Sequence, residues 1–221
     1  MPIHERQIRD RERRRQQIIA ASKRVFVSKG VSKATIKDIA AEAELSPGTL
    51  YIYFKNKDEL YSSLSIRMLK HLSLRLQRVK ERKEPNAEQR LSAIKDALWE
   101  AYVVDPPVFI TLTHLQASET LENISPDLLK QILGLAMELI SILADILTKA
   151  IEESSLKNGD PQEVALILWA LFSGLVLWEE SKRALDPRKD FLRSTLDVGF
   201  EIFGRSIVER VTHMTKTVAE G

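Results

Sequence analysis

The chain has 221 residues, of which 44% are hydrophobic, 29% charged and 6% aromatic, and it has no cysteine. The apolar share is ample for a packed core and excludes a chain disordered by composition; the lack of cysteine excludes disulfides and thiolate metal sites and fits a reducing cytoplasm. Net charge is only +2, yet residues 1–83 hold 20 Lys and Arg against 9 Asp and Glu, whereas residues 84–221 hold 13 against 22. A basic front on an acidic back points to a polyanion as the partner of the front, or to an ordinary solvated helix surface.

Apolar positions recur at spacings of three and four almost throughout and strand signals are scarce, so the sequence predicts an all-α fold of about nine helices. The opening "MPIHERQIRDRERRRQQ" lacks an apolar core and is not expected to act as a secretory leader. A first helix is expected from Asp10 to Lys29, with Ile18, Ile19, Ser22, Val25 and Phe26 inward and Gly30 as its stop. Arg6, Arg9, Arg11, Arg13, Arg14 and Arg15 precede this helix or form its first turn. They suit either an arm entering a minor groove or a solvated extension that adds only long-range attraction.

Thr35, with Asp38 three residues on, is a variant capping box that starts a short helix from Ile36 to about Ala43. Ser46 caps the next helix, Pro47 takes its first position, and it is expected to end near Phe54. Asn56, with Glu59 at the capping-box position, starts a fourth helix reaching about residue 83. "KEPNAEQ" is a break where the charge changes sign, and it divides residues 1–56 and a connecting helix, 57–83, from a second domain, 84–221. Further helices are expected at 87–103, 107–120, 126–156, 162–184 and 189–214. The apolar runs 133–147 and 164–178 read as core or interface helices rather than membrane spans, because the first carries Glu138 and Asp145 and the second is short for a bilayer.

The two short helices, 36–43 and 47–54, are joined by a three-residue turn, which is helix-turn-helix spacing. Ile36, Ile39, Ala40 and Ala43 form the inner face of the first, Leu45 plugs the turn, and Leu50 and Phe54 anchor the second. Pro47, Gly48, Thr49, Ile52 and parts of Tyr51 and Tyr53 are left facing outward. The tyrosine hydroxyls can reach phosphate oxygens, Gly48 removes bulk where a helix meets a groove floor, and Thr49 can donate to phosphate or meet a thymine methyl. Lys55 and Lys57 add charge at the edge, on the side of the positive helix start.

The stretch "TIKDIAAEAELSPGTLYIYFKNKDEL", residues 35–60, resembles the signature of TetR-type transcriptional regulators, above all in Thr49-Leu50-Tyr51, Phe54, Lys57 and Leu60. The resemblance covers about residues 10–70. It implies that Thr35, Lys37, Pro47, Gly48, Thr49, Tyr51, Ile52, Tyr53, Lys55 and Lys57 fall at DNA-contacting positions; Ile36 and Ser46, which start the two helices, complete the candidate set. Glu44 departs from the usual Gly of the turn, and a left-handed backbone there costs about 1 kcal/mol. The resemblance also implies a second domain that binds a small molecule and dimerises through its last two helices. Residues in both helices permit this, since helix 162–184 is apolar around most of its circumference and helix 189–214 carries Phe191, Leu192, Leu196, Phe200, Phe203 and Ile207.

Within the second domain, Gln131, Glu138, Ser141, Asp145 and Lys149 form one polar stripe, read as a solvent-facing side; the sharper alternative has Glu138 or Ser141 lining a cavity. Candidate pocket residues are Trp99, Tyr102, Phe109, Leu112, His114, Gln116, Met137, Trp169 and Phe172, most of which also suit an ordinary core. His114 and Gln116, polar within "VFITLTHLQ", are the stronger ligand candidates, and the apolar lining suits a fatty-acyl or aromatic effector.

The leading expectation is therefore a dimeric, cytoplasmic, ligand-responsive repressor of double-stranded DNA, without cofactor or metal. An enzyme is the rival: the four histidines show no ligand spacing, and neither a phosphate-cradling glycine loop nor a nucleophile elbow is present. A helical protein of membrane surfaces is the third reading, opposed by the lack of a strongly amphipathic Trp/Lys helix in the basic half.

Overall fold

Arg, Glu and Gln are good helix formers, and no Gly or Pro interrupts the chain between Ile3 and Lys29. In the computed structural model, which describes residues 3–30, 33–82, 84–115, 124–152, 159–183 and 192–208, this whole stretch is one helix, α1 (Ile3–Lys29). It starts seven residues earlier than the apolar pattern indicates. Polar pairs one turn apart support the extra length: Arg6 faces Asp10, and Gln16 donates to Glu12. Gly30, at φ 77°, closes α1 with its N–H on the Phe26 carbonyl.

The described residues form eight further helices: α2 (Ile36–Glu42), α3 (Pro47–Tyr51), α4 (Lys57–Arg82), α5 (Ala87–Val104), α6 (Pro106–Leu115), α7 (Pro126–Glu152), α8 (Pro161–Arg183) and α9 (Leu192–Val208). The expected ends at 116–120, 153–156, 189–191 and 209–214 lie outside the described residues. The fold is all-α.

Two compact units emerge. One contains residues 1–68 and 107–132, the other residues 69–106 and 133–221. The backbone of α4 runs through both.

In the first unit, α2 packs on α1 and α3 on α2. Ile18, Ile19, Val25, Phe26, Ile39, Ala40, Leu50, Phe54, Leu60 and Leu64 are buried together. Each large side chain so buried contributes about 1.5–3 kcal/mol. Phe26 meets Tyr61 edge-on, with ring centroids 5.6 Å apart.

In the second unit, α9 packs against α5 and α8. Gly199 and Gly204 permit that approach: a Cβ added at Gly199 would stand 3.2 Å from Leu175, and one at Gly204 would stand 3.3 Å from Leu91. Ion pairs link the outer surfaces, Lys95 to Asp197 at 2.6 Å and Arg193 to Asp96 at 3.2 Å between α5 and α9, and Lys80 to Asp145 at 2.7 Å between α4 and α7. The link from α4 to α5 is held by Arg90, which donates to the carbonyls of Glu84 and Pro85, while Asn86 caps α5 through the Gln89 N–H. Two helices, α7 and α8, are long and apolar enough to cross a membrane by length and composition; 44% and 39% of their most apolar stretches are buried within the molecule.

Candidate nucleic-acid interface

Three caps set the geometry of the first unit. The Thr35 side chain accepts the Asp38 N–H at 3.1 Å and Asp38 in turn accepts the Thr35 N–H at 3.0 Å, so the expected capping box is complete. Lys29, 2.6 Å from Asp38, ties the box to the end of α1. The Lys29 and Thr35 hydrogen bonds hold the Asp38 carboxyl well below its usual range, at about 2. Ser46 caps α3 through the Thr49 N–H at 3.1 Å, and Asn56 caps α4 through the Glu59 N–H at 2.8 Å. Glu59 also accepts the Lys55 N–H, which locks the corner between α3 and α4.

Between α2 and α3 the chain must reverse within a few residues. Glu44 does this at φ 56°, the left-handed region that favours glycine. Its N–H reaches the Ala41 carbonyl and that of Leu45 reaches Ala40, so the turn is closed by hydrogen bonds despite the strain.

With both ends fixed, α3 has one sunken side and one free side. Leu50 is fully buried and Phe54 is 2% exposed, while Tyr51 is 54% and Ile52 67% exposed. Ser46, Pro47 and Gly48 are exposed, and Thr49 and Tyr53 are half-buried. The helix ends at Tyr51, short of Phe54, because the N–H groups of Tyr53 and Phe54 both turn to the Leu50 carbonyl. Thr35, Lys37 and Lys55 are exposed, and Ile36 is half-buried. Lys57 is half-buried and donates to the Ala34 carbonyl at 3.2 Å, holding the segment before α2. The twelve candidates thus all belong to one unit, on α2, α3 and the segments beside them.

Sequence reasoning missed Arg15 as part of this architecture. Its guanidinium lies 4.8 Å over the Phe54 ring and donates to Ser63 at 3.0 Å. The signal was present, since Arg15 stands three and four positions before Ile18 and Ile19 on the inward stripe of α1.

The ligand candidates are dispersed. Tyr102, Trp169 and Phe172 are buried in the second unit and Trp99 is half-buried there; Trp99 stands 5.7 Å from Tyr102, and Trp169 6.4 Å from Phe172. Met137, Glu138 and Ser141 are exposed along α7, as are Gln131, Asp145 and Lys149, so the polar stripe faces solvent in the single chain. Phe109 is buried in the first unit, on α6, which also carries Leu112 and His114; Gln116 lies outside the described residues. A cleft of about 390 Å³ opens instead between α5 and α9, lined by Leu91, Lys95, Asp197, Phe200 and Arg205 among others, none of them sequence candidates.

A capped pair of short helices, with the second anchored from beneath and bare above, defines a helix-turn-helix protein. Residues 18–64 match the family model of bacterial regulatory proteins of the tetR family. An uncharacterized HTH-type transcriptional regulator of Haemophilus influenzae is 30% identical over 108 residues, 49% of this chain and 56% of that protein. The nicotine-responsive transcriptional repressor HdnoR of Paenarthrobacter nicotinovorans is 34% identical over 92 residues, 42% of this chain and 47% of that one. The chain thus spans about half the length of these two relatives. The crystal structure of FadR from Bacillus subtilis in complex with stearoyl-CoA superposes with a TM-score of 0.66 at 20% identity, covering 86% of this chain and 98% of that one, and so shares the fold. Residues 18–64 are thus similar to the DNA-binding part of TetR-family regulators, and the chain shares the fold of solved TetR-type structures.

Proposed function

We propose that this chain is a cytoplasmic transcriptional repressor that binds a near-palindromic operator as a homodimer and leaves it when a small, apolar effector binds. The observation that carries the reading is the division of α3, with Leu50 and Phe54 buried and Tyr51 and Ile52 bare. A helix held this way can enter a major groove with its N-terminal residues toward the bases. Thr35, Lys37, Ser46, Gly48, Thr49, Tyr51, Tyr53 and Lys55 are the contacts we assign to phosphates and base edges, with Ile36, Pro47, Ile52 and Lys57 shaping the surface.

Dimerisation through α8 and α9 is supported by their bare apolar sides. Leu166, Ile167 and Trp178 on α8 and Val198 and Ile202 on α9 are 49–66% exposed. Gly174 lies on the same side of α8, where an added Cβ would meet nothing. Two copies of this face would bury it in a two-fold, four-helix interface. An apolar effector is supported by the apolar interior of the second unit and by two similar proteins, the nicotine-responsive repressor and FadR in complex with stearoyl-CoA. In this reading residues 1–56 bind DNA, 84–221 sense and dimerise, and α4 is the lever between them. The effector acts only through its differential affinity for the DNA-bound and DNA-free states.

The test is a salt titration on the duplex that the protein enriches from a random-sequence pool. Affinity should fall steeply with salt. Tyr51→Ala should weaken binding roughly tenfold, since a lost charge-assisted phosphate contact is worth about 1.5 kcal/mol, with unchanged helix content by circular dichroism. Affinity indifferent to both salt and Tyr51 would exclude this assignment.

A further inference from the structure

Residues 4–14 of α1 serve no core. Residues 4–14 are all exposed, and burial begins only with Arg15, Ile18 and Ile19. The inward stripe of α1 nevertheless continues outward: His4, Ile8 and Arg11 precede Arg15 at helical spacing, and Ile8 is 55% exposed. The segment is a helix about 18 Å long that leaves the core where Arg15 is clamped over Phe54 and bonded to Ser63. Phe54 closes the segment after α3 and Ser63 lies in α4, so the extension leaves the core next to the helix-turn-helix. It carries Arg6, Arg9, Arg11, Arg13 and Arg14 against Glu5, Asp10 and Glu12. Arg6 is within 4.0 Å of Asp10 and Arg14 is bonded to Gln17, whereas Arg11 and Arg13 have no ion pair among the described residues.

A minor-groove arm is not what this segment can be. A helix with its side chains is about 10–12 Å across, and the minor groove of B-DNA is about 6 Å wide. Arginines presented on a helix beside the helix-turn-helix fit the phosphate backbone instead. We infer that residues 3–14 of α1 form a second DNA-contact element, a helix whose Arg11 and Arg13 grip phosphates flanking the base pairs read by α3. The inference rests on the DNA-binding reading above. It adds a footprint longer than the helix-turn-helix alone covers, with no added base specificity.

The experiment uses the full chain and the duplex the wild type enriches from a random pool, prepared with long flanks and with flanks trimmed to the enriched motif. The Arg11→Gln/Arg13→Gln variant should bind the flanked duplex roughly ten- to thirtyfold more weakly at 0.15 M salt, with a slope of log affinity against log salt shallower by about 1.8. Trimming the flanks should cost the wild type affinity and the variant almost none. Circular dichroism should match, since Gln keeps the helix. A control, Arg78→Gln/Arg82→Gln in the other unit, removes the same charge and should lose much less. Equal binding by wild type and variant on the flanked duplex, or equal losses in the control, would overturn the inference while leaving α3 as the reader. So would a variant that keeps its DNA affinity but loses binding to phosphatidylserine-containing vesicles, which would make this a membrane-surface helix. Failure of the wild type to enrich any duplex would sink the DNA-binding reading itself.

Discussion

Gly48 separates the needs of the fold from those of the surface. It lies in α3 with ordinary helical backbone, and a Cβ there would meet only the Ser46 hydroxyl at 3.8 Å. Among the described residues nothing requires a glycine at this position. Gly48→Ala should therefore raise stability by about 0.5–1 kcal/mol, seen as a higher melting temperature, while weakening binding to the enriched duplex if, as proposed, this face of α3 meets the groove. A loss of stability would mean that the position is packed; unchanged affinity would mean that α3 stays clear of the groove floor. The same logic explains the aromatic cluster nearby. Phe54 is core, while Tyr51 and Tyr53 flank the bare side, a division legible from spacing because Leu50 and Phe54 lie four apart.

At the scale of elements, the caps were the most legible feature, because a capping box is a local exchange of hydrogen bonds between residues three apart. The box at Thr35 and Asp38 also predicts a pH response. The Asp38 carboxyl is held at about 2 by its bonds to Lys29 and Thr35, against a usual value of 3.8. A depressed folded-state value means that the ionised form is the one the fold favours. Its contribution is present above pH ~4 and fades as pH falls toward 2. Asp38→Asn should be less stable than the wild type at pH 7 in urea unfolding, and the difference should shrink across that window. A gap independent of pH would assign the loss to packing rather than to charge. Helix ends were less legible. The early start of α1 rests on polar pairs that an apolar pattern does not register, and the early end of α3 rests on one carbonyl accepting two N–H groups. Glu44 shows the reverse, a left-handed turn set by the two helices it joins rather than by its own preference.

The whole molecule carries a prediction in the apolar sides of α8 and α9. A monomer has little reason to leave Ile167 59% and Ile202 66% exposed on neighbouring helices. Ile167→Glu and Ile202→Glu should each shift the protein from dimer toward monomer in sedimentation at micromolar concentration, and should weaken operator binding through loss of the paired half-sites. Dimers undisturbed by both changes would move the interface elsewhere. Such substitutions leave the core intact, so helix content is the control.

The sequence by itself determined the all-helical fold, the helix-turn-helix and the residues on its bare side, because periodicity, caps and turn lengths are local properties that a single strand of residues spells out. Only the tertiary structure decided the rest: that Arg15 lies over Phe54, and that the described ligand candidates are scattered between two units. Those facts depend on which distant side chains meet. Apolar residues that look alike in sequence become core, pocket or interface according to the neighbours that cover them.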